Sequence, residues 1–255
     1  MYEDQFTLAK NRFDKYLEHY DTTDPKIRLK VVHTYGVVKA AEFLAQALSL
    51  SEEDTYLCRC IALLHDIGRF EQLRRYHSFD DSIMPHAQCS VDILFSEGLI
   101  REFVPEPHWD AIIRQAIAYH GVFRMPEDLE PRTRLHTALI RDEDKMDNFR
   151  VKATDSIEAM VDVTKEELGA ESISDAIFAC FLNSQPILNS DRITHMDMWV
   201  SYLGYLFDMN FKESFAFLIE RDCINKIIDR VPYSNQETAK RMEQIRQHAL
   251  QFITN

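Results

Sequence analysis

The chain has 255 residues, of which 45% are hydrophobic and 28% are charged, a composition typical of a globular protein rather than a disordered one. Lys and Arg number 29 against 42 Asp and Glu, and this net charge of −13 argues against binding to a nucleic-acid polymer or to an anionic membrane. Only 6 Gly and 8 Pro are present, too few turn residues for a protein built from many short strands. The composition therefore favours helices.

The length suits a single all-α domain over residues 1–255, since one hydrophobic core can serve a chain of this size. The first residues, MYEDQFTLAK, lack the basic and apolar segments of a signal peptide, and no stretch of about 18 apolar residues follows. We expect a cytoplasmic protein. Five cysteines occur without a C-x-x-C pair, which in a cytoplasmic chain indicates buried, reduced thiols.

The first part of the chain shows helical periodicity. Apolar residues at helical spacing predict helices over 3–19 and 26–48, and the second of these carries His33. Ser51 is followed three residues later by Asp54, a pair that resembles a capping box. We expect a third helix to begin there.

The third helix carries the most unusual dipeptide in the chain. It is predicted to end at His65-Asp66, with Gly68 as its C-terminal stop. Residues 69–84 mix charged and aromatic residues without a clear period and predict a loop that serves as a lid.

Three further helices complete this region. One begins beside His86, another covers 108–120 and ends at His120, and the third covers 134–150. The third places Asp144 one turn after Ile140, so its carboxylate should point to the apolar side of the helix.

The remainder of the chain has apolar faces at helical spacing but no ligand spacing. We expect its helices to complete the core or to form the surface of a homo-oligomer, so that residues 25–150 contain the site and 151–255 form a C-terminal extension. The predicted helices cover 172–182, 195–206, 211–230 and 236–252.

His65 and Asp66 lie within an apolar run, IALLHDIGRF. Two ionisable neighbours at the end of a buried helix cost desolvation energy unless they pair with other groups or bind a metal. The pattern therefore predicts a metal site, with a structural ion pair as the alternative.

A family resemblance appears when these residues are taken together. LLHDIGRF, preceded by His33 in VVHTYGV and followed by Asp144 in RDEDKMDNFR, resembles the HD superfamily of metal-dependent phosphohydrolases over residues 25–150. The resemblance implies an all-α, HD-domain-like helical bundle with additional C-terminal helices. Asp144 begins a D-[KR]-x-x-N sequence of that family, with Asp142 and Asp147 as the alternatives.

His86 and His120 extend the resemblance to family members with two metals. The alternative is a mononuclear site flanked by two substrate-binding histidines. Carried over by position, the dinuclear pattern implies one metal on His33, His65 and Asp144, a second on His86 and His120, and Asp66 on both.

Imidazoles and carboxylates form a mixed nitrogen and oxygen site, which suits one or two divalent transition metals (Mn, Fe, Co, Ni or Zn). Such a site activates water, and the resemblance implies attack on a small phosphorylated substrate, a nucleotide phosphomonoester or phosphodiester. Asp66 would take part in catalysis, assisted by Arg69 or Lys145. Arg69 could hold a substrate phosphate or could be a solvated cation at a helix end, and weaker candidates for phosphate binding are Arg74, Arg75 and Arg124.

Two departures from the family's sequence patterns argue against particular activities. Cyclic dinucleotides are disfavoured as substrates, because GVFRMPED follows His120 where the cyclic-dinucleotide branch has paired histidines and a G-Y-P sequence. The activities of guanosine-tetraphosphate hydrolases and of the 5′-nucleotidase branch are disfavoured as well, because Arg69 stands where those proteins have Glu. Two other functions remain open: a mixed-valent diiron oxygenase, because related oxygenases share the donor order, and a noncatalytic ligand-binding protein.

Overall fold

The computed structural model describes residues 2–254, and within that range it contains helices and turns but no strand. The predicted all-α fold class is therefore confirmed. No helix in residues 2–254 is long and apolar enough to cross a membrane. The chain divides into two compact units, the first ending at Asp144 and the second beginning at Lys145. The division into a single domain with a core at 25–150 and an extension at 151–255 stays a prediction.

Seven helices belong to the first unit, and an eighth crosses the boundary between the units. They are α1 (Tyr2–Leu17), α2 (Pro25–Ala47), α3 (Glu52–Leu64), α4 (Ile67–Tyr76), α5 (His86–Val91), α6 (Ile100–Phe103), α7 (Asp110–Tyr119) and α8 (Pro131–Thr154). A π-helical turn, Asp92–Ser96, continues directly from α5.

Local sequence explains where the longer helices begin. Asp24 caps α2, because its carboxylate accepts hydrogen bonds from the backbone N–H groups of Lys26 and Ile27 at 2.7 and 3.3 Å. Ser51 caps α3 by accepting from the Asp54 N–H at 3.0 Å, as its spacing predicted.

The first unit packs its helices around α3. Helix α3 contacts α1, α2 and α7, and α5 lies between α4 and α7. Large apolar side chains with less than 2% exposure fill the interior, among them Phe13, Leu44, Leu64 and Phe70. Burial of such side chains stabilises the fold by about 1.5–3 kcal/mol each.

Helix α4 corrects the prediction of a loop over 69–84 and of a helix stop at Gly68. Residues Arg69 to Tyr76 are helical, because Phe70 and Leu73 turn one apolar face inward and the residues between them are good helix formers. Gly68 instead permits a close approach: a Cβ there would lie 2.5 Å from the His86 carbonyl oxygen. Only residues 77–85 remain as the connection to α5.

Within residues 145–254, the second unit contains six α-helices of five to nine residues and one of 19 residues. They are α9 (Ile157–Val161), α10 (Lys165–Ala170), α11 (Asp175–Leu182), α12 (His195–Leu203), α13 (Lys212–Glu220), α14 (Cys223–Asp229) and α15 (Gln236–Thr254). Helix α15 packs against α11, α13 and α14, and α12 packs against α9, α10 and α11.

The helix predicted over 211–230 is two helices. A continued helix would bring Arg221 and Asp222 to the face that Phe217 and Leu218 bury, and a charged pair there would be desolvated. The chain breaks at this point, with Asp222 in the left-handed region at φ +52°, and α14 restarts with Cys223 buried.

Candidate metal centre

Five different elements or junctions bring the six predicted donors together. All six belong to the first unit. Helices α2 and α5 each supply one histidine, the junction of α3 and α4 supplies His65 and Asp66, and the other two donors lie just after α7 and on α8. Five are at most 8% exposed, and the sixth, Asp144, has a side chain that is 23% exposed. The donors are His33, His65, Asp66, His86, His120 and Asp144.

Two triplets of donor atoms are close enough to hold an ion. His33, His65 and Asp144 form one, and His65, Asp66 and His120 form the other, with all donor atoms of a triplet within 4.8 Å of one another. In the first triplet the His33 Nε2 lies 3.0 Å from Asp144 Oδ1. His65 belongs to both triplets, so the two positions are adjacent.

The Asp66 carboxylate faces both sets of histidines with different oxygens. Its Oδ2 lies 3.8 Å from His33 Nε2 and 3.6 Å from His65 Nε2. Its Oδ1 lies 3.5 Å from His86 Nε2 and 3.8 Å from His120 Nε2. A carboxylate placed in this way can bridge two cations.

Backbone carbonyls orient two of the rings. His65 Nδ1 lies 2.8 Å from the Ala62 carbonyl oxygen, and His120 Nδ1 lies 2.7 Å from that of Ile117. A carbonyl can only accept, so each Nδ1 donates and each Nε2 keeps its lone pair. The outer hydrogen bond therefore fixes the tautomer in which Nε2 can bind a metal.

A carboxylate orients the third ring. His86 Nδ1 lies 2.7 Å from Asp81 Oδ1, and the same oxygen accepts from Arg69 NH1 at 2.8 Å. Arg69 also donates to Gln72 Oε1 and to the carbonyl of Phe79, at 2.7 and 2.9 Å. Arg69 thus ties the 77–85 segment to α4, and its predicted contact with a substrate phosphate stays a prediction.

Three of the four histidine rings are in the neutral form that metal binding requires. Burial lowers the pKa of both His86 and His120 to about 4 and also lowers that of His65, so these rings are neutral at neutral pH. Burial alone would raise the pKa of Asp66, but the charge of the Lys30 ammonium, 2.8 Å from its Oδ2, holds it well below its usual range. Burial would likewise raise the pKa of Asp144, but the interaction with His33 outweighs it and lowers the pKa.

The donor set fits a cation. The Nε2 atoms of His86 and His120 lie 3.1 Å apart, although in the tautomers described both would present lone pairs. Two nitrogens bound side by side to one ion at about 2.0–2.1 Å are separated by roughly 2.9–3.4 Å. His65 Nε2 is buried without a hydrogen-bond partner among residues 2–254. A metal would satisfy this atom and remove the repulsion between the other two.

Sequence reasoning missed Lys30 and Asp81. The Lys30 ammonium lies 2.8 Å from Asp66 Oδ2, and its side chain is 18% exposed. It stands three residues before His33 on α2, so the helical period places both side chains on one face and could have identified it. Asp81 carries no comparable signal, since it lies on the connecting segment before α5.

The remaining candidates have other surroundings. Lys145 Nζ forms an ion pair with Asp208 at 2.9 Å within the second unit, and its catalytic role stays a prediction. Asp147 accepts from Arg150 at 2.6 Å. In the part of the chain that the structure describes, the triplets of donors contain neither Asp147 nor Asp142. Arg124 is exposed.

Comparison with known proteins agrees with the donor geometry. The HD domain family profile matches residues 31–160, just over half of the chain, and the match includes all six donors. No curated protein and no solved structure matches the chain. HD domains are generally metal-dependent hydrolases. The chain belongs to the HD-domain family.

Proposed function

We propose that the protein is a metal-dependent phosphohydrolase that acts on a small phosphorylated molecule, a nucleotide phosphomonoester or phosphodiester. The observation that carries the proposal is the Asp66 carboxylate, whose two oxygens face separate pairs of histidines. A structural ion pair would not need four imidazoles around one carboxylate.

The donors divide naturally between two divalent transition metals. Bound there, the metals would supply an activated water and neutralise charge on the phosphoryl oxygens. The chain supplies fixed rings and a protected, largely buried position for the ions. In the proposed arrangement, His33, His65 and Asp144 hold one metal, His86 and His120 hold the other, and Asp66 contacts both.

Positive charge beside the centre favours an anionic substrate in a chain whose net charge is −13. The Phe79 ring is surrounded by the amines of Lys26 and Lys30 and the guanidinium of Arg69, at 5.8, 5.5 and 5.9 Å from its centroid. Lys30 also contacts Asp66 directly. A metal at Asp66 would compete for that carboxylate, and a released ammonium would be available to a phosphate oxygen.

Metal analysis of protein purified without chelators, followed by a phosphate-release screen over nucleotides, tests the proposal. We expect a divalent transition metal in the purified protein and release that is lost on chelation and restored by Mn, Fe, Co, Ni or Zn. Lys30→Met should weaken turnover while the metal stays bound.

Three results would overturn this function. Protein without metal affinity would remove the chemistry. Oxygen consumption by iron-loaded protein without phosphate release would assign a mixed-valent diiron oxygenase. Tight nucleotide binding without turnover by any metal form would assign a noncatalytic ligand-binding protein.

A further inference from the structure

The first unit contains a cavity that shares no lining residue with the metal centre. Its volume is about 560 Å³, within the range of about 300–1,000 Å³ that is common for small-molecule sites. It lies beside the C-terminal end of α1, one side of α4, and α5 with the π-helical turn that follows. No residue of the cavity is needed for the proposed hydrolysis.

A charged cluster lines one side of the cavity. Glu71 is 5% exposed, and its carboxylate accepts hydrogen bonds from Arg74, Arg75 and the Tyr20 hydroxyl. Each guanidinium uses one nitrogen for Glu71, although an arginine carries five N–H groups. The two arginine side chains are 55% and 56% exposed. Their remaining donors can bind an anion, since Glu71 neutralises only one of the two charges.

Apolar groups line the rest of the cavity. Met84, Pro85, Ile93 and Leu99 contribute aliphatic surface, and Tyr16 adds an aromatic ring. A ligand that fills this space therefore needs an apolar or aromatic body as well as its anionic group.

The cavity wall also limits the charge of the ligand. Asp92 and Glu97 line the cavity as exposed carboxylates. These carboxylates repel anions, so an anionic group is favoured only in direct contact with Arg74 and Arg75, and a single phosphoryl or carboxyl group is favoured over a polyphosphate.

The backbone at the cavity is irregular. Asp92–Ser96 forms a π-helical turn, and both Asp92 and Ile93 line the cavity. Single π-helical turns are rare and are found frequently at functional sites. This observation is independent of the charged cluster and points to the same place.

From these features we propose that the cavity binds a small aromatic molecule with one phosphoryl or carboxyl group, held by Arg74 and Arg75. The site is separate from the metal centre but mechanically close to it. Helix α4 carries both arginines and approaches α5 closely at Gly68, near the backbone of His86. A ligand between α4 and α5 would therefore bias the position of His86 and regulate the centre.

Cys89 reports occupancy, because it lines the cavity and is partly exposed. In a Cys180→Ser background the other three cysteines are buried, so maleimide labelling followed by mass spectrometry measures Cys89 alone. We expect phenylphosphonate at about 10 mM, enough to saturate a site with Kd of about 1 mM, to slow labelling several-fold. Benzoate distinguishes carboxylate from phosphoryl binding. Inorganic phosphate tests the anionic group alone, and phenol tests the aromatic ring alone.

Matched variants locate the effect. Protection should be lost in the double variant Arg74→Gln/Arg75→Gln. It should be retained in the control Arg28→Gln, which removes an exposed arginine of α2. For each variant, the labelling rate with ligand is compared with the rate of the same variant without ligand. Protection should occur both with and without added Mn²⁺, at a ligand concentration that Mn²⁺ shifts, because a ligand that biases His86 and a metal that binds it change each other's affinity. Absence of protection by both phenylphosphonate and benzoate would overturn the proposal. So would protection that survives the double substitution or requires metal, which would place the ligand at the metal centre.

Discussion

Two buried aspartates, one in each unit, stand near the N-terminus of a helix and have opposite surroundings. Asp197 of α12 is fully buried, and its carboxylate accepts from the backbone N–H groups of Ser174, Ile193 and Thr194 at 2.8, 3.1 and 3.3 Å. It forms a capping box with Thr194. Backbone N–H groups satisfy the hydrogen-bonding capacity of the Asp197 carboxylate, so the function of Asp197 is structural.

Asp66 is 3% exposed and immediately precedes α4, but it makes no capping hydrogen bond with its side chain in the described residues. Its neighbours are Lys30 and the histidine rings. A carboxylate that omits the cap and faces imidazoles is poised for a ligand. Burial is shared by both aspartates, and they differ in their partners, which are backbone N–H groups for Asp197 and side chains for Asp66.

The comparison is tested most severely by Asp66→Ala. The variant should lose on the order of a thousandfold or more in turnover together with most of its bound metal, because both histidine pairs lose their shared carboxylate. Circular dichroism should show nearly unchanged helix content. A variant that retains half of the wild-type rate would contradict the assignment of Asp66.

Asp197→Ala is the matched control. It leaves buried N–H groups without an acceptor, each costing about 1–3 kcal/mol, so Tm should fall clearly. The folded fraction should keep its metal and its rate per molecule. Loss of metal without loss of stability would mean that the two aspartates do not differ as described.

A second prediction tests whether the centre binds one metal ion or two. His86→Ala or His120→Ala should lower metal content from about two ions per chain towards one, and activity should fall by roughly a hundredfold or more. The double variant should be little worse than either single variant, because both side chains serve one ion. The number of metal ions per chain is obtained from metal analysis and protein concentration. A single ion in the wild type that both variants keep would make these histidines substrate ligands or packing residues.

Asp81→Asn should have a smaller effect, through the orientation of His86. Loss of the charged partner of a ligating histidine typically weakens metal affinity by about 10–100-fold. Competition with a chelator measures the affinity of the full-length protein. Asp80→Asn changes the neighbouring, exposed carboxylate and should leave the affinity unchanged. Equal affinities in the wild type and both variants would show that Asp81 only anchors Arg69.

The smallest expected effect concerns Glu143, which neighbours Asp144. Burial, followed by the charge of Asp142, raises the pKa of the Glu143 carboxyl to about 8. The unfolded chain loses this proton near pH 4.3, as a free Glu does. Between these values only the unfolded state releases it, so the group makes the fold less stable as pH rises from about 4.3 to 8.

Glu143→Gln removes this titration. The Tm of the metal-free variant minus that of the metal-free wild type should increase from pH 5 to pH 8 and reach roughly 5 °C or more at pH 8. The exposed Glu127→Gln is the control and should show no such trend. A Tm difference that is constant with pH would show that Glu143 is ionised in the folded protein.

The six donors could be proposed from the sequence because each stands at a recognisable place in a helical pattern. His33 lies within a long amphipathic stretch, and His65 and Asp66 interrupt an apolar run, so local order indicated their burial. The structure brings these donors together, while their assignment as ligands stays a prediction. The resemblance, rather than periodicity, indicated that residues so far apart in the chain would meet.

Helix α4 and the role of Gly68 were not predictable in the same way. A glycine after His65-Asp66 has the sequence signature of a helix end, and only the approach of α5 shows that the missing side chain makes room for a neighbouring backbone. For Arg69, the sequence left a substrate phosphate and a solvated helix end as alternatives, and it could not indicate the contacts with Asp81 and a backbone carbonyl of the 77–85 segment. In both places a tertiary contact supplies what no local signal contains.

By itself, then, the sequence determined the helical class and the principal helix starts, because these depend on local periodicity and residue type. The tertiary structure alone decided that Asp66 faces two histidine pairs, that Lys30 and Asp81 stand beside them, and that Arg74 and Arg75 share one buried glutamate at a separate cavity. These facts depend on distances between side chains from different helices. No spacing along the chain encodes such distances directly, because they follow from how the helices pack.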